Sequence, residues 1–122
     1  MRDLFTKEYT IDGIDLQGKK FDKVSRFEAS AGEAACVVDF NDEIFPLSAK
    51  EKIRLTIMQG VYSDDAFVPY DYVMSGIYYK CAEENDKLNS YISCGGLLAC
   101  IEEQLNADVG GEVYVCLQRI NK

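Results

Sequence analysis

Lys52-Ile53-Arg54-Leu55-Thr56-Ile57 alternates polar and apolar residues without a break. Successive side chains of an extended chain point to opposite faces, so the stretch predicts a strand with Ile53, Leu55 and Ile57 on a buried face. The same period of two returns toward both ends. Phe5, Tyr9 and Ile11 share one parity against Thr6, Glu8 and Thr10, and Val113, Val115 and Leu117 alternate with Tyr114, Cys116 and Gln118. Between them lie Phe21 to Ala29, Ala34 to Phe40, Tyr70 to Cys81 and Leu88 to Ile101, rich in Val, Ile, Phe, Tyr and Thr and mostly bounded by Gly, Asn, Asp or Pro. Roughly seven or eight short strands are expected.

Turn signals at Gly13, Gly18, Gly32, Asn41-Asp42, Asn85-Asp86 and Gly110-Gly111 separate these runs. Many short strands in one chain predict an all-β fold, an antiparallel barrel or sandwich with little helix. Two segments also carry helical signals. Ser48-x-x-Glu51 has the form of a capping box, and Leu97, Leu98, Ile101 and Leu105 fit helical spacing, although the glycines before Leu97 favour a strand. Val61 to Pro69, centred on Ser63-Asp64-Asp65, is the one stretch that reads as a long loop. With no repeat, linker or low-complexity tract, residues 1–122 read as a single domain.

The chain has 122 residues, 48% hydrophobic and 28% charged, with no His. Lacking imidazole, it has no Ser-His or Cys-His nucleophile pair, no His general base and no zinc site that needs His. Phosphate loops and dinucleotide fingerprints are missing too, and nothing selects a pair of carboxylates for acid and base work. The expectation is a chain with no catalytic residues, no metal and no cofactor. No apolar run reaches the length of about 18 residues that a membrane helix needs, and no signal-peptide core follows Met1, so a soluble chain without a membrane partner is expected.

The net charge of -8 comes from 13 basic and 21 acidic residues, and it is local. From Val61 to Glu112 only Lys80 and Lys87 oppose ten acidic residues, which leaves eleven of each sign elsewhere. Such a balance argues against finding nucleic acid by bulk electrostatics. The five cysteines, Cys36, Cys81, Cys94, Cys100 and Cys116, have no CxxC spacing and sit in apolar or Tyr-rich runs. They read as small buried hydrophobes of a chain from a reducing compartment.

Three features could carry binding. Lys19, Lys20, Lys23 and Arg26 are interleaved with Phe21, Val24 and Phe27. On a strand, Lys19, Phe21, Lys23, Ser25 and Phe27 would share a face, either as a groove for single-stranded nucleic acid or as a solvated strand with its aromatics in the core. Tyr91-Ile92-Ser93-Cys94-Gly95-Gly96-Leu97-Leu98 places paired glycines between apolar residues. They mark a two-residue hairpin, in which Cys94 faces Leu97 and Tyr91 faces Cys100, a bulge that bends one long strand, or a place where a partner's backbone comes close. Tyr70, Tyr72, Tyr78 and Tyr79 fit an interface or a core equally well. The acidic pairs Asp64-Asp65 and Glu102-Glu103 lack the spaced oxygens of a calcium loop and read as solvated.

Three stretches together resemble a known family, the small subunit, usually numbered eight, shared by the eukaryotic nuclear RNA polymerases I, II and III. Gly18-Lys19-Lys20-Phe21-Asp22-Lys23-Val24-Ser25-Arg26 is similar to its most specific signature. Tyr72-Val73-Met74-x-Gly76 and Tyr91-Ile92-Ser93-x-Gly95-Gly96-Leu97-Leu98 follow in family order, and Val113-Tyr114-Val115-x-Leu117 closes the match. The resemblance implies an OB-like antiparallel barrel of about eight strands, without a catalytic site, docked in the nucleus on the largest polymerase subunit. It also implies weak binding of single-stranded DNA.

This chain departs from the family in having only Val61 to Pro69 where a longer acidic loop is usual, Cys94 where an aromatic is common, and Cys100 where Arg is frequent. The expected partner face comprises Arg26, Tyr91, Ser93, Gly95, Gly96, Leu97 and Leu98. The alternative is a free-standing module that binds single-stranded nucleic acid through Lys19, Lys20, Phe21, Lys23 and Phe27.

Overall fold

The computed structural model describes residues 1–19 and 21–120. Eight strands form in chain order: β1 (Arg2–Ile14), β2 (Val24–Ala31), β3 (Ala34–Asn41), β4 (Lys52–Gln59), β5 (Tyr72–Glu84), β6 (Lys87–Cys94), β7 (Leu97–Ile101) and β8 (Glu112–Arg119). They close into an antiparallel barrel with the order β1-β2-β3-β7-β6-β5-β8-β4, and β4 pairs back onto β1. Closure leaves no unpaired sheet edge and gives every strand one face toward a shared interior.

The alternation in the sequence is the alternation between interior and exterior. Ile53, Leu55, Ile57, Val113, Val115 and Leu117 all lie in the core without solvent exposure, and Tyr9 and Ile11 join them from β1. The mixed face of β4 is more buried than its composition suggests. Thr56 has no exposed surface, because Thr6 on β1 meets it hydroxyl to hydroxyl at 2.9 Å. Phe45 closes part of the interior by stacking on Tyr72 at 5.4 Å, and the Tyr72 hydroxyl accepts the Asn41 amide.

Local signals fared unevenly. The Leu88 to Ile101 run is two strands joined at Gly95-Gly96, with Cys94 opposite Leu97 and Tyr91 opposite Cys100. Both glycines have positive φ, 59° and 94°, as a tight two-residue hairpin requires, so the helical spacing from Leu97 onward is not used. The Ser48 amide does donate to the Glu51 carboxylate at 2.7 Å, yet no helix follows, because Lys50 at φ 75° turns the chain directly into β4. A short 3-10 turn, Asp64–Phe67, lies in the loop between β4 and β5. Of the cysteines, Cys36, Cys94 and Cys116 are buried, Cys81 and Cys100 are half-buried, and all five are free thiols. Burial pushes the Cys94 thiol up to about 11 and that of Cys116 up to about 12.

Candidate docking face

β2, β3, β7 and β6 are consecutive in the barrel wall, so their outward side chains form one continuous surface. Phe27, Val38, Phe40, Ala99 and Ile92 point inward and are at most 1% exposed. Their chain neighbours Arg26, Asp39, Leu98, Tyr91 and Ser93 therefore face out. The register sets Arg26 opposite Asp39, Ser93 opposite Leu98 and Tyr91 opposite Cys100. Four of the seven expected partner residues thus converge on one face from segments far apart in sequence.

Asp39 organises that face. One of its oxygens accepts from Arg26 Nε at 2.6 Å, and the other accepts from Arg26 Nη2 at 3.2 Å and from the Leu98 amide at 2.9 Å. The reason lies in the seam between β3 and β7, where ladder pairing covers only Cys36–Ile101, Val37–Cys100 and Val38–Ala99. Beyond Val38 the Leu98 N–H has lost its strand partner, and a carboxylate takes the carbonyl's place. The hydrogen bond to Asp39 also raises the Arg26 guanidinium above its ordinary pKa. Sequence reasoning missed Asp39, although a lone carboxylate inside the apolar run Cys36 to Phe40 was a readable signal.

Next to Leu98 and Ser93 the surface becomes aromatic. An irregularity in the pairing of β5 with β6 falls between Tyr78 and Lys80, so Tyr79 and Lys80 are both exposed while Tyr78 fills the core. Tyr79 and Tyr91 lie with ring centres 6.2 Å apart, and Lys80 Nζ sits 5.0 Å from the Tyr91 ring. The Tyr91 hydroxyl donates to Glu84, which lifts its pKa well above the ordinary tyrosine range. Two aromatic rings and a cation over one of them make an amphipathic patch suited to protein contact.

The remaining expected partner residues fall differently. Gly95 and Gly96 form the hairpin tip, where an added Cβ would meet nothing within 4 Å, so it is their positive φ that selects glycine. Close approach occurs instead at Gly76, where a Cβ would lie 2.6 Å from the Ser93 carbonyl. Leu97 is half-buried against the core and adds little to the outer face.

The basic, aromatic strand expected from Lys19 to Phe27 does not exist as such. β2 begins only at Val24, because Lys23 takes φ 64° and the described residues 15–19 and 21–23 belong to no strand. Phe21 is 69% exposed on that loop whereas Phe27 is wholly buried, so the two aromatics cannot share a stacking surface. Each described cation of the cluster has a carboxylate beside it. Lys19 pairs with Asp42 and donates to the Ser25 hydroxyl at 3.2 Å, and Lys23 lies 4.0 Å from Glu43. The Ser25 hydroxyl lies 2.8 Å from Asp15 and 2.6 Å from Asp42, and Asp15 accepts the Arg26 amide. The bond from Lys19, helped by Ser25, holds the Asp42 carboxyl below its ordinary pKa. Lys20 lies outside the described residues. Among the described residues of the signature, the charges therefore tie the loop to β2 and β3, and a phosphate would compete with carboxylates to bind there.

A family model for RNA polymerase Rpb8 matches residues 6–119, which spans the barrel almost from end to end. A Caenorhabditis elegans protein called probable DNA-directed RNA polymerases I, II, and III subunit RPABC3 is 32% identical over 116 residues, covering 78% of each chain. Subunit 8B of DNA-directed RNA polymerases II, IV and V from Arabidopsis thaliana is 32% identical over 118 residues, covering 81% of each chain. The RPABC3 subunit of polymerases I, II, and III from Schizosaccharomyces pombe is 34% identical over 102 residues, covering 81% of this chain and 80% of its own.

Proposed function

The chain belongs to the RNA polymerase Rpb8 family, and from this we infer that it works as a non-catalytic, nuclear subunit of DNA-directed RNA polymerases. In this reading it docks on the largest subunit through the outer face of β6, β7 and the Arg26–Asp39 pair. The observation that carries the docking reading is the convergence of Arg26, Tyr91, Ser93 and Leu98 on one wall. Around them are Tyr79 and Ile77, 45% and 40% exposed, which is the aromatic and aliphatic composition of a protein contact.

A tagged copy purified from its source cells is expected to bring down the large polymerase subunits, and their absence would overturn the reading. Leu98→Glu, which places a charge on the face without touching the core, is expected to cut that recovery by about tenfold. Undiminished recovery by a folded Leu98→Glu chain would move the docking surface elsewhere. Among the described residues, the carboxylates beside Lys19, Lys23 and Arg26 reduce the electrostatic drive of the nucleic-acid alternative. Fluorescence anisotropy with labelled single-stranded oligonucleotides is expected to show binding no tighter than about 10 µM at 150 mM salt. Submicromolar, salt-sensitive binding would restore the free-standing module.

A further inference from the structure

The loop between β1 and β2 folds back over the outer face of β2 and β3 and encloses a cleft of 270 Å³ beside Arg26. Its apolar walls are Leu16, Phe21, Val24 and Val37, and Leu16 and Phe21 stand 62% and 69% exposed. Exposed apolar side chains around a concavity are unusual on a chain this acidic and mark a contact site.

The charge in the cleft does not balance. Three carboxylates, of Asp15, Glu28 and Asp39, line it against one described cation, Arg26. The Arg26 guanidinium is committed to Asp39, while among the described residues the partners of Asp15 are uncharged, the Arg26 amide and the Ser25 hydroxyl, whose one proton it shares with Asp42. Glu28, half-buried at the centre of β2, makes no ion pair or side-chain hydrogen bond among the described residues. A carboxylate drawn out of water into apolar surroundings is costly until a cation meets it. Among the described residues, the lining therefore offers two carboxylates with no cation bonded to them, beside an exposed aromatic ring. An arginine suits this site better than a lysine, because its planar guanidinium stacks on a ring and forks onto carboxylates.

We propose that this cleft takes an arginine side chain from a neighbouring polymerase subunit, with its stem along Leu16 and Val37, its plane on Phe21 and its charge on Glu28 and Asp15. The neighbour's identity rests on the assembly reading above, whereas the chemistry of the cleft does not. It extends the docking surface around Arg26 to β2 and the loop before it.

The test is a titration of the isotope-labelled full chain with N-acetyl-arginine-methylamide, followed by amide shifts in NMR, with the norleucine analogue as the uncharged control. Expected are shifts confined to residues 15–28 and 37–39, half-saturating on the order of 1 mM, with no matching response to norleucine. Glu28→Gln should weaken the arginine probe about tenfold. Phe21→Ala, a change at an exposed position, should weaken it about threefold. No shift in those segments, or an equal response to norleucine, overturns the proposal. In the tagged purification, Glu28→Arg should recover fewer polymerase chains than the wild type, and equal recovery counts against the cleft's part in assembly. A wild type that recovers none overturns the assembly reading, and the titration still decides the cleft.

Discussion

Asp39→Ala is expected to lower the unfolding free energy by about 3 kcal/mol, whereas Arg26→Ala is expected to cost about 1 kcal/mol. The two residues form one ion pair, so a purely pairwise view would predict equal losses. The asymmetry comes from burial. The Asp39 side chain is 11% exposed and that of Arg26 is 46% exposed. Removing Arg26 deletes a half-exposed guanidinium, and the Asp39 carboxylate loses its cation but keeps the Leu98 amide and access to the water that fills the vacated space. Removing the carboxylate strips Arg26 and also orphans an N–H at the point where the β3–β7 ladder stops.

Asp39→Asn keeps an acceptor for Leu98 and should recover about half of the loss. Urea unfolding followed by tyrosine fluorescence and circular dichroism gives the three values. Hydrogen exchange of the Leu98 amide adds a local readout, since exchange should quicken in Asp39→Ala beyond what the global loss explains. An Asp39→Ala chain within 0.5 kcal/mol of the wild type would mean that the carboxylate is not what closes the seam. This matters for docking, because Leu98 and Arg26 sit on the two sides of that seam and keep their spacing only while it is shut.

How far the sequence alone carries this molecule depends on the reach of each interaction. Period-two alternation reports which side of its own strand a residue occupies, and Ile53, Leu55, Ile57, Val113, Val115 and Leu117 are all where it put them. The hairpin at Gly95-Gly96 was legible down to its register, since turn chemistry and pairing are both local. The course of residues 15–19 and 21–23 was not. It is held by Lys19 on Asp42 and by Asp15 on Ser25 and Arg26, partners whose meeting depends on how β1, β2 and β3 stack.

Periodicity could not end a strand that tertiary contacts end, and so Phe21 and Phe27 were read as companions when one is solvent-exposed and the other is core. The resemblance named Arg26, Tyr91, Ser93 and Leu98 without saying that they meet. Their common face follows from β3 lying beside β7, an adjacency that no local pattern encodes. Cys94, one of the departures from the family pattern, turns out to face inward at 7% exposure. It therefore bears on packing rather than on contact with a partner.

Gly76→Ala tests that packing directly and is expected to destabilise the chain by about 3 kcal/mol. The position has an ordinary strand neighbourhood, pairing with Val113 on β8 while Ile77 pairs with Ser93 on β6. An added methyl would lie 2.6 Å from Cys94 Sγ, 2.6 Å from the Ser93 carbonyl oxygen and 3.0 Å from Ile92 Cγ2. The thiol can rotate aside, but the carbonyl belongs to the neighbouring strand and moves only if β5 and β6 separate. Replacing glycine also reduces the entropy of the unfolded chain, a gain of about 0.4–1 kcal/mol that offsets only part of the clash.

A double variant, Gly76→Ala with Cys94→Ala, separates the two obstacles. If the thiol were the main one, the second change would rescue most of the loss. The carbonyl argument expects rescue of less than about 1 kcal/mol, because the backbone contact survives. Denaturant midpoints of the wild type, both single variants and the double variant decide the matter, and a Gly76→Ala loss below about 1 kcal/mol would show that the strands give way easily. The effect should reach the docking face as well. Tyr91 and Ser93 ride on β6, so a displacement that starts at Gly76 shifts both while leaving their chemistry intact, and polymerase recovery by the folded Gly76→Ala chain should fall with no change at any contact residue.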